Sequence, residues 1–182
     1  MKICYKQLRG NKWYISLFTD ASVNGLPDKI SSAYGLLLFI SNGYRPRDRH
    51  DCCLIAWKSS KIRRVVTASY DAEVLALSEG LDQAIVMRQL ILDITGLPED
   101  MVEIEAFCDN NSTITALEEI KGKHRQKRIG LEIAKVREMW DRGEVKDIRW
   151  IEKSYQIADA LTKDSASRTP LISAMEEGRF FN

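Results

Sequence analysis

The segment Trp13-Tyr14-Ile15-Ser16-Leu17-Phe18-Thr19-Asp20 sets Trp13, Ile15 and Leu17 on one face of an extended chain and Tyr14, Ser16 and Phe18 on the other, and it ends on an acid. That period of two marks a strand. Asn24-Gly25 and Pro27-Asp28 follow as a turn. Ala33 to Ile40 is almost continuously apolar, as in a central strand covered on both faces, and Cys52 to Trp57 form a third strand after a polar loop. These three strands read as an antiparallel meander.

From Ala68 to Thr95 the spacing becomes helical, with Val74, Leu77, Leu81, Ala84, Met87 and Ile91 on one face and Gly96-Leu97-Pro98 as the stop. Val102, Ile104, Ala106 and Cys108 then alternate with Glu103, Glu105 and Phe107 in a strand that ends at Asp109. A short helix runs from Ser112 to Glu119, and a basic stretch follows it. Ile129, Ile133, Val136 and Trp140 repeat at helical spacing until Gly143. Val145 to Ile151 reads as a last strand and Tyr155 to Lys163 as a last helix. The predicted order is β-β-β-α-β-α-α-β-α. With no internal repeat or linker, the reading is one domain over residues 13–165, an N-terminal tail or linker at 1–12 and a C-terminal extension at 166–182. In that extension the spacing of Leu171, Ile172 and Met175 suits either a short packed helix or a linker to a following protein.

A chain of 182 residues can bury a core without disulfides or structural metal. Its 45% hydrophobic and 29% charged fractions are those of an ordinary globular protein. Lys plus Arg at 27 against Asp plus Glu at 26 leaves a net charge of +1, so local clustering has to decide about nucleic acid. Cys4, Cys52, Cys53 and Cys108 have no framework spacing, which points to a reduced intracellular protein. Near Met1 there is no apolar stretch of signal-peptide length, and the run Gly35 to Ile40 is far too short to span a bilayer. The expectation is a soluble protein, not secreted and not membrane-bound.

Four acids stand where chemistry could use them. A phosphodiesterase that uses two divalent ions needs several carboxylates at one spot, because hard cations take oxygen ligands. Asp20 and Asp109 each end a strand, and parallel neighbours about 4.8 Å apart would put the two carboxylates side by side at the carboxyl edge of the sheet. Glu73 lies in the first turns of the long helix, with Ala76, Leu77 and Gly80 beside it on the sheet-packing face. Asp159 opens the last helix, where the dipole favours an acid. Asp71 is the decoy for Glu73, two residues away and so roughly 200° around the helix. Each acid alone is explained as well by a turn, a solvated face or a helix start. All four at the ends of the right elements are a different matter.

Five blocks carry a resemblance. Phe18-Thr19-Asp20-Ala21-Ser22, Trp57-Lys58-Ser59-Ser60-Lys61, Asp71-Ala72-Glu73 with Leu75-Ala76-Leu77-Ser78-Glu79, Cys108-Asp109-Asn110-Asn111-Ser112, and Ile157-Ala158-Asp159-Ala160-Leu161-Thr162-Lys163 resemble, in order, the ribonuclease H domain of copia-type LTR retrotransposon polyproteins. The resemblance implies an α/β, RNase H-like fold: a five-stranded mixed sheet, three strands antiparallel and then two parallel, with helices on both faces. It implies cleavage of the RNA strand of RNA/DNA hybrids during reverse transcription, with a reverse transcriptase as partner in the same polyprotein and a cytoplasmic retrotransposon particle as the setting. It implies two Mg2+ ions per site, replaceable by Mn2+, held by Asp20, Glu73, Asp109 and Asp159. By position Asp20 bridges both ions, Asp159 completes the site that activates water, and Glu73 and Asp109 hold the ion at the leaving oxygen, with Glu73 near the 2′-hydroxyl.

The chain departs from related domains in two places. Where many copia-type domains carry a His and an Asp, it has Lys127-Arg128-Ile129-Gly130. Cellular ribonucleases H also carry a histidine in the loop before the final aspartate, and none lies between Trp150 and Asp159. Product release is then slower or uses another group. His50 and His124 read as surface residues and Trp57 as a core side chain.

Two basic segments could contact phosphates: Lys58, Ser59, Lys61, Arg63 and Arg64 before the long helix, and Lys121, Lys123, Arg125, Lys127 and Arg128 around His124. The competing reading of each is a solvated charged face. Arg45, Arg47 and Arg49 lie in a polar loop. An integrase or transposase of the same fold would place its glutamate last, whereas here it comes second. A non-catalytic nucleic-acid-binding, connection-like or host-captured domain is the alternative function, although such domains lose carboxylates and this chain keeps all four.

Overall fold

The computed structural model describes residues 2–10, 12–23, 32–44, 50–66, 68–119 and 126–180. One mixed sheet organises them. Strands β1 (Trp13–Ser22), β2 (Ala33–Ser41), β3 (Cys52–Lys61), β4 (Val102–Cys108) and β5 (Asp147–Trp150) lie in the order β3-β2-β1-β4-β5. β1 pairs antiparallel with β2, and β2 with β3, whereas β1–β4 and β4–β5 are parallel. This is the expected meander followed by two parallel strands.

Helices cover both faces. On one, α1 (Ser69–Thr95), α2 (Asn111–Glu118) and α3 (Lys127–Asp141) pack over Ile15, Leu17, Leu36, Leu38, Ile104 and Ala106. The predicted face of α1 is the one used: Val74, Leu77, Leu81 and Ala84 are buried, and Met87 and Ile91 pack against them. Burying each large side chain stabilises the fold by about 1.5–3 kcal/mol. On the other face, a 3-10 turn (Ile157–Leu161) and α4 (Thr169–Glu177) cover Phe18, Leu37, Phe39 and Phe107. Phe18 stacks on Phe107 at 4.8 Å, and Phe180 joins the same aromatic cluster. The sequence left residues 165–182 open between helix and linker; α4 and Phe180 belong to the core.

The N-terminal residues also have a place. Cys4 N–H donates to the Met175 carbonyl, and Lys6 lies beside Cys53, so this segment runs along α4 and β3. Cys4, Cys52, Cys53 and Cys108 are free thiols. Among the described residues, no helix is long and apolar enough to cross a membrane.

Four expectations need correction. β1 runs on past Asp20 to Ser22, β3 runs on to Lys61 and β5 begins at Asp147, so the strands shift by two to four residues against the sequence reading. The last predicted helix, Tyr155 to Lys163, is 3-10 structure, and the regular helix comes after it. Trp57 is not core: it is 61% exposed. Ala56 pairs with Leu38 and Leu54 with Phe39, which leaves Ile55 as an extra residue in the edge strand. That bulge turns Trp57 to the α4 side, beside Leu37 but beyond the layer that covers it. His50 is half-buried rather than a surface residue, its carbonyl accepting the Phe180 N–H. The predicted turn at residues 24–28, the arginines at 45, 47 and 49, and His124 lie outside the described residues.

Candidate metal centre at the carboxyl edge of the sheet

Each of the four acids reaches the site on a different element. β1 and β4 pair at Phe18 and Phe107, so Asp20 and Asp109, two residues further on in each, leave the same end of adjacent parallel strands. Asp20 is fully buried and points to the face that carries the 3-10 turn. Asp109 sits in a pinned turn: the Trp150 indole donates to its carbonyl at 2.9 Å, and the Asn110 side chain caps α2 through Thr113 N–H.

Glu73 comes from the first turns of α1, and its Oε1 accepts the Ala21 N–H at 3.2 Å. The helix can come this close because residue 80 has no side chain: a Cβ there would meet Thr19 Cγ2 at 2.9 Å and Leu17 at 3.0 Å. Asp71 lies elsewhere, accepting a hydrogen bond from Gln126 at 2.8 Å.

Asp159 stands in the 3-10 turn. Gln156 ties that turn to β1 by donating to the Thr19 carbonyl at 2.9 Å, and the Ser59 hydroxyl ties it to β3 by donating to the Leu161 carbonyl at 2.9 Å. Under it, Gly35 is paired with Asp20, and a Cβ at Gly35 would lie 2.7 Å from Leu161 Cβ. These contacts, rather than a helix start, bring Asp159 to Asp20.

Oxygens of Asp20, Asp109 and Asp159 lie within 4.8 Å of one another, and so do ligand atoms of Glu73, Cys108 and Asp109. Asp109 is therefore the acid common to both groupings, whereas the resemblance gives the bridging place to Asp20. Both oxygens of Asp20 are engaged: Lys163 Nζ lies 2.9 Å from Oδ1, and the Thr162 hydroxyl donates to Oδ2. Lys163 also reaches Asp159 Oδ1 at 2.7 Å.

Crowding of charge shifts the acids. Burial raises Asp20 to about 6, against the pull of Thr162 and Lys163. Burial, then the charges of Asp20 and Asp109, raise Glu73 to about 9. Asp109 is also raised, first by burial. Burial raises the Cys108 thiol well above its usual range, and a protonated soft sulfur is a poor ligand for a hard ion. One ammonium thus faces a cluster of four carboxylates, of which Asp20, Glu73 and Asp109 resist ionisation. An all-oxygen set with excess negative charge fits a hard divalent cation.

The described members of the predicted nucleic-acid set lie on β3, just past it and at the start of α3. Lys58 lies on the α1 side, 2.8 Å from Glu79 and over the Tyr34 ring. Ser59 directs its hydroxyl to Leu161. Lys61 and Arg63 are exposed at the end of β3 and just past it, and Lys127 is exposed at the start of α3. Lys123 and Arg125 lie outside the described residues.

Sequence reasoning did not single out Lys163, Thr162, Gln156 or Gly35. The one available signal was the four-residue spacing from Asp159 to Lys163, which puts opposite charges within reach in helical backbone. It also missed Glu105, a buried acid on β4 that accepts from Ser16 at 2.7 Å, Tyr44 N–H at 2.6 Å and Arg149 at 2.6 Å.

No protein-family model matches the chain, and no curated protein is similar to it. Solved structures are. RNase H1 from the halophilic archaeon Halobacterium salinarum superposes with a TM-score of 0.55 at 18% identity, over 82% of this chain and 94% of that one. LC11-RNase H1, isolated from compost by a metagenomic approach and solved in complex with an RNA/DNA hybrid, gives 0.55 at 16% identity, over 81% and 93%. The foamy viral protease-reverse transcriptase, also with an RNA/DNA hybrid, gives 0.56 at 15% identity, over 87% of this chain and 21% of that one. At these identities the likeness establishes the architecture, and the fold of this chain is RNase H-like.

Proposed function

We propose that this chain is a ribonuclease H that hydrolyses the RNA strand of RNA/DNA hybrids with two divalent ions, Mg2+ or in its place Mn2+, and that it derives from a copia-type retrotransposon polyprotein in which a reverse transcriptase accompanies it. One observation carries the reading: four carboxylates from β1, α1, the end of β4 and the 3-10 turn meet at one end of the sheet. A structural role would not need them there, since burying like charges together is costly.

Asp20, Asp109 and Asp159 would hold one ion and Glu73 with Asp109 the other, with Asp20 able to join both once its oxygens are released. Bound divalent ions supply activation of water and stabilisation of the charge that develops as the phosphodiester breaks. The chain's own contribution is position. Trp150 fixes the Asp109 turn, Gln156 and Ser59 fix the Asp159 turn, and Gly80 lets α1 carry Glu73 to the sheet. The two solved neighbours that hold RNA/DNA hybrids support the choice of substrate. Exposed Lys61, Arg63 and Lys127, with Lys123 and Arg125, would grip its phosphates.

The test is cleavage of a labelled hybrid with Mg2+, against single-stranded RNA and duplex DNA. Cleavage should need the metal and the hybrid. Asp20→Asn should lose it while keeping the fold, and Glu73→Gln should lose it where Asp71→Asn does not. Wild-type turnover by Asp20→Asn, or a dead Asp71→Asn beside an active Glu73→Gln, would refute the assignment.

A further inference from the structure

Lys163 sits where it should be hardest to leave. Its ammonium lies 2.9 Å from Asp20 Oδ1 and 2.7 Å from Asp159 Oδ1, two of the three acids whose oxygens converge within 4.8 Å. Among the described residues it is the ion-pair partner of both. An ammonium within hydrogen-bond reach of both oxygens and a divalent ion bound by the same two cannot share that space.

The tether allows an exit. Lys163 N–H donates to the Asp159 carbonyl at 3.0 Å, so its backbone is fixed and only the side chain can turn away. That side chain is 26% exposed, and solvent is open to it. Its four methylenes give the head group reach without moving Asp159.

We propose that Lys163 is a built-in competitor for the divalent ions: it neutralises part of the carboxylate cluster before they bind, and it must release Asp20 and Asp159 for them to enter. The inference rests on the two-metal reading of this site and adds what sets the affinity. Held by Lys163, the acids keep an arrangement their mutual repulsion would otherwise open. The same contact weakens metal binding, because two charge-assisted hydrogen bonds must break first. Loss of even one hydrogen bond to a charged group corresponds to about tenfold or more in an equilibrium constant.

The full chain, stripped with chelator and dialysed, is titrated with Mn2+ at neutral pH while free ion is counted by its paramagnetic resonance signal. Lys163→Gln and Lys163→Met, both neutral and the second of similar bulk, should bind Mn2+ at least about tenfold more tightly than wild type. Lys163→Arg keeps the charge and should bind as weakly as wild type or more so. Asp20→Asn locates the binding, since its affinity should collapse. Should a neutral variant lose its fold without metal, its melting temperature is followed instead and should rise more per increment of Mn2+ than wild type does.

Tighter binding by both neutral variants, with none by Lys163→Arg, supports the competition. Unchanged or weaker binding by the neutral variants, with wild type binding normally, overturns it and leaves the two-metal reading standing. Binding by the neutral variants alone keeps the competition and overturns wild type as a metal enzyme. Binding by none overturns both, and Lys163 is then a permanent ion-pair partner.

Discussion

Gly35→Ala tests how the site is assembled without touching an acid. Gly35 lies opposite Asp20 in the β1–β2 ladder, and a Cβ there would lie 2.7 Å from Leu161 Cβ and 3.1 Å from Thr162 Cγ2. Carbon atoms rest at about 3.5–4.0 Å, so the turn that carries Asp159 has to move by roughly 1 Å. Such overpacking typically costs about 1–3 kcal/mol, and the stiffer unfolded chain returns about 0.4–1 of it. A melting temperature lower by several degrees is expected for a domain of this size. The larger effect is on chemistry, because misplacing a reacting group by about 1 Å can lower the rate about a hundredfold. Steady-state cleavage of a labelled hybrid at saturating Mg2+, with thermal unfolding of the same samples, measures both. A variant that melts as calculated but keeps its kcat within about twofold of wild type would show that the turn's position does not limit catalysis.

Two further outcomes follow from the charges. In chelator, the melting temperature should fall as pH rises from about 5 to 9, because Asp20, raised to about 6, and Glu73, raised to about 9, keep protons in the folded chain that the unfolded chain has lost by then. Glu73→Gln should flatten that fall, and a wild-type melting temperature that stays level or rises across the window refutes the burial argument. Neutralising Lys123, Arg125 and Lys127 should raise KM for hybrids of any sequence and flatten the log-log salt dependence by roughly 0.7–1 for each phosphate that is no longer gripped. An unchanged slope would make the segment a solvated face.

The parts of this molecule that could be read from sequence are those that local periodicity writes down. Alternation located β1 and β4, so the side-by-side placement of Asp20 and Asp109 followed, although β1 runs two residues past Asp20. Helical spacing put Glu73 on the inner face of α1 and Asp71 off it. Asp159 was a different case: helix-start reasoning placed it for the wrong reason, since its backbone is 3-10 and is held by Gln156, Ser59 and the missing side chain of Gly35. No local pattern encodes how residues more than a hundred positions apart meet. Trp57 was misread because a bulge at Ile55 shifts the pleat, and a single extra residue reverses every side chain beyond it. Glu105 looks in sequence like the polar half of an alternating strand, yet it is buried on three donors.

These failures share a physical origin that bears on the site itself. Alternation and helical period report which face a residue takes, but a cluster of acids drawn from separate elements depends on how closely two faces approach. Here that approach is set by absent atoms: Gly80 brings α1 onto β1, and Gly35 brings the 3-10 turn onto β2. An acid is recognisable by its charge, whereas the glycine beneath it is recognisable only once the neighbour it admits is known. Substitutions at Gly35 and Gly80 should therefore impair the centre with all four carboxylates intact, and a survey that changes only the acids would miss half of what holds them together.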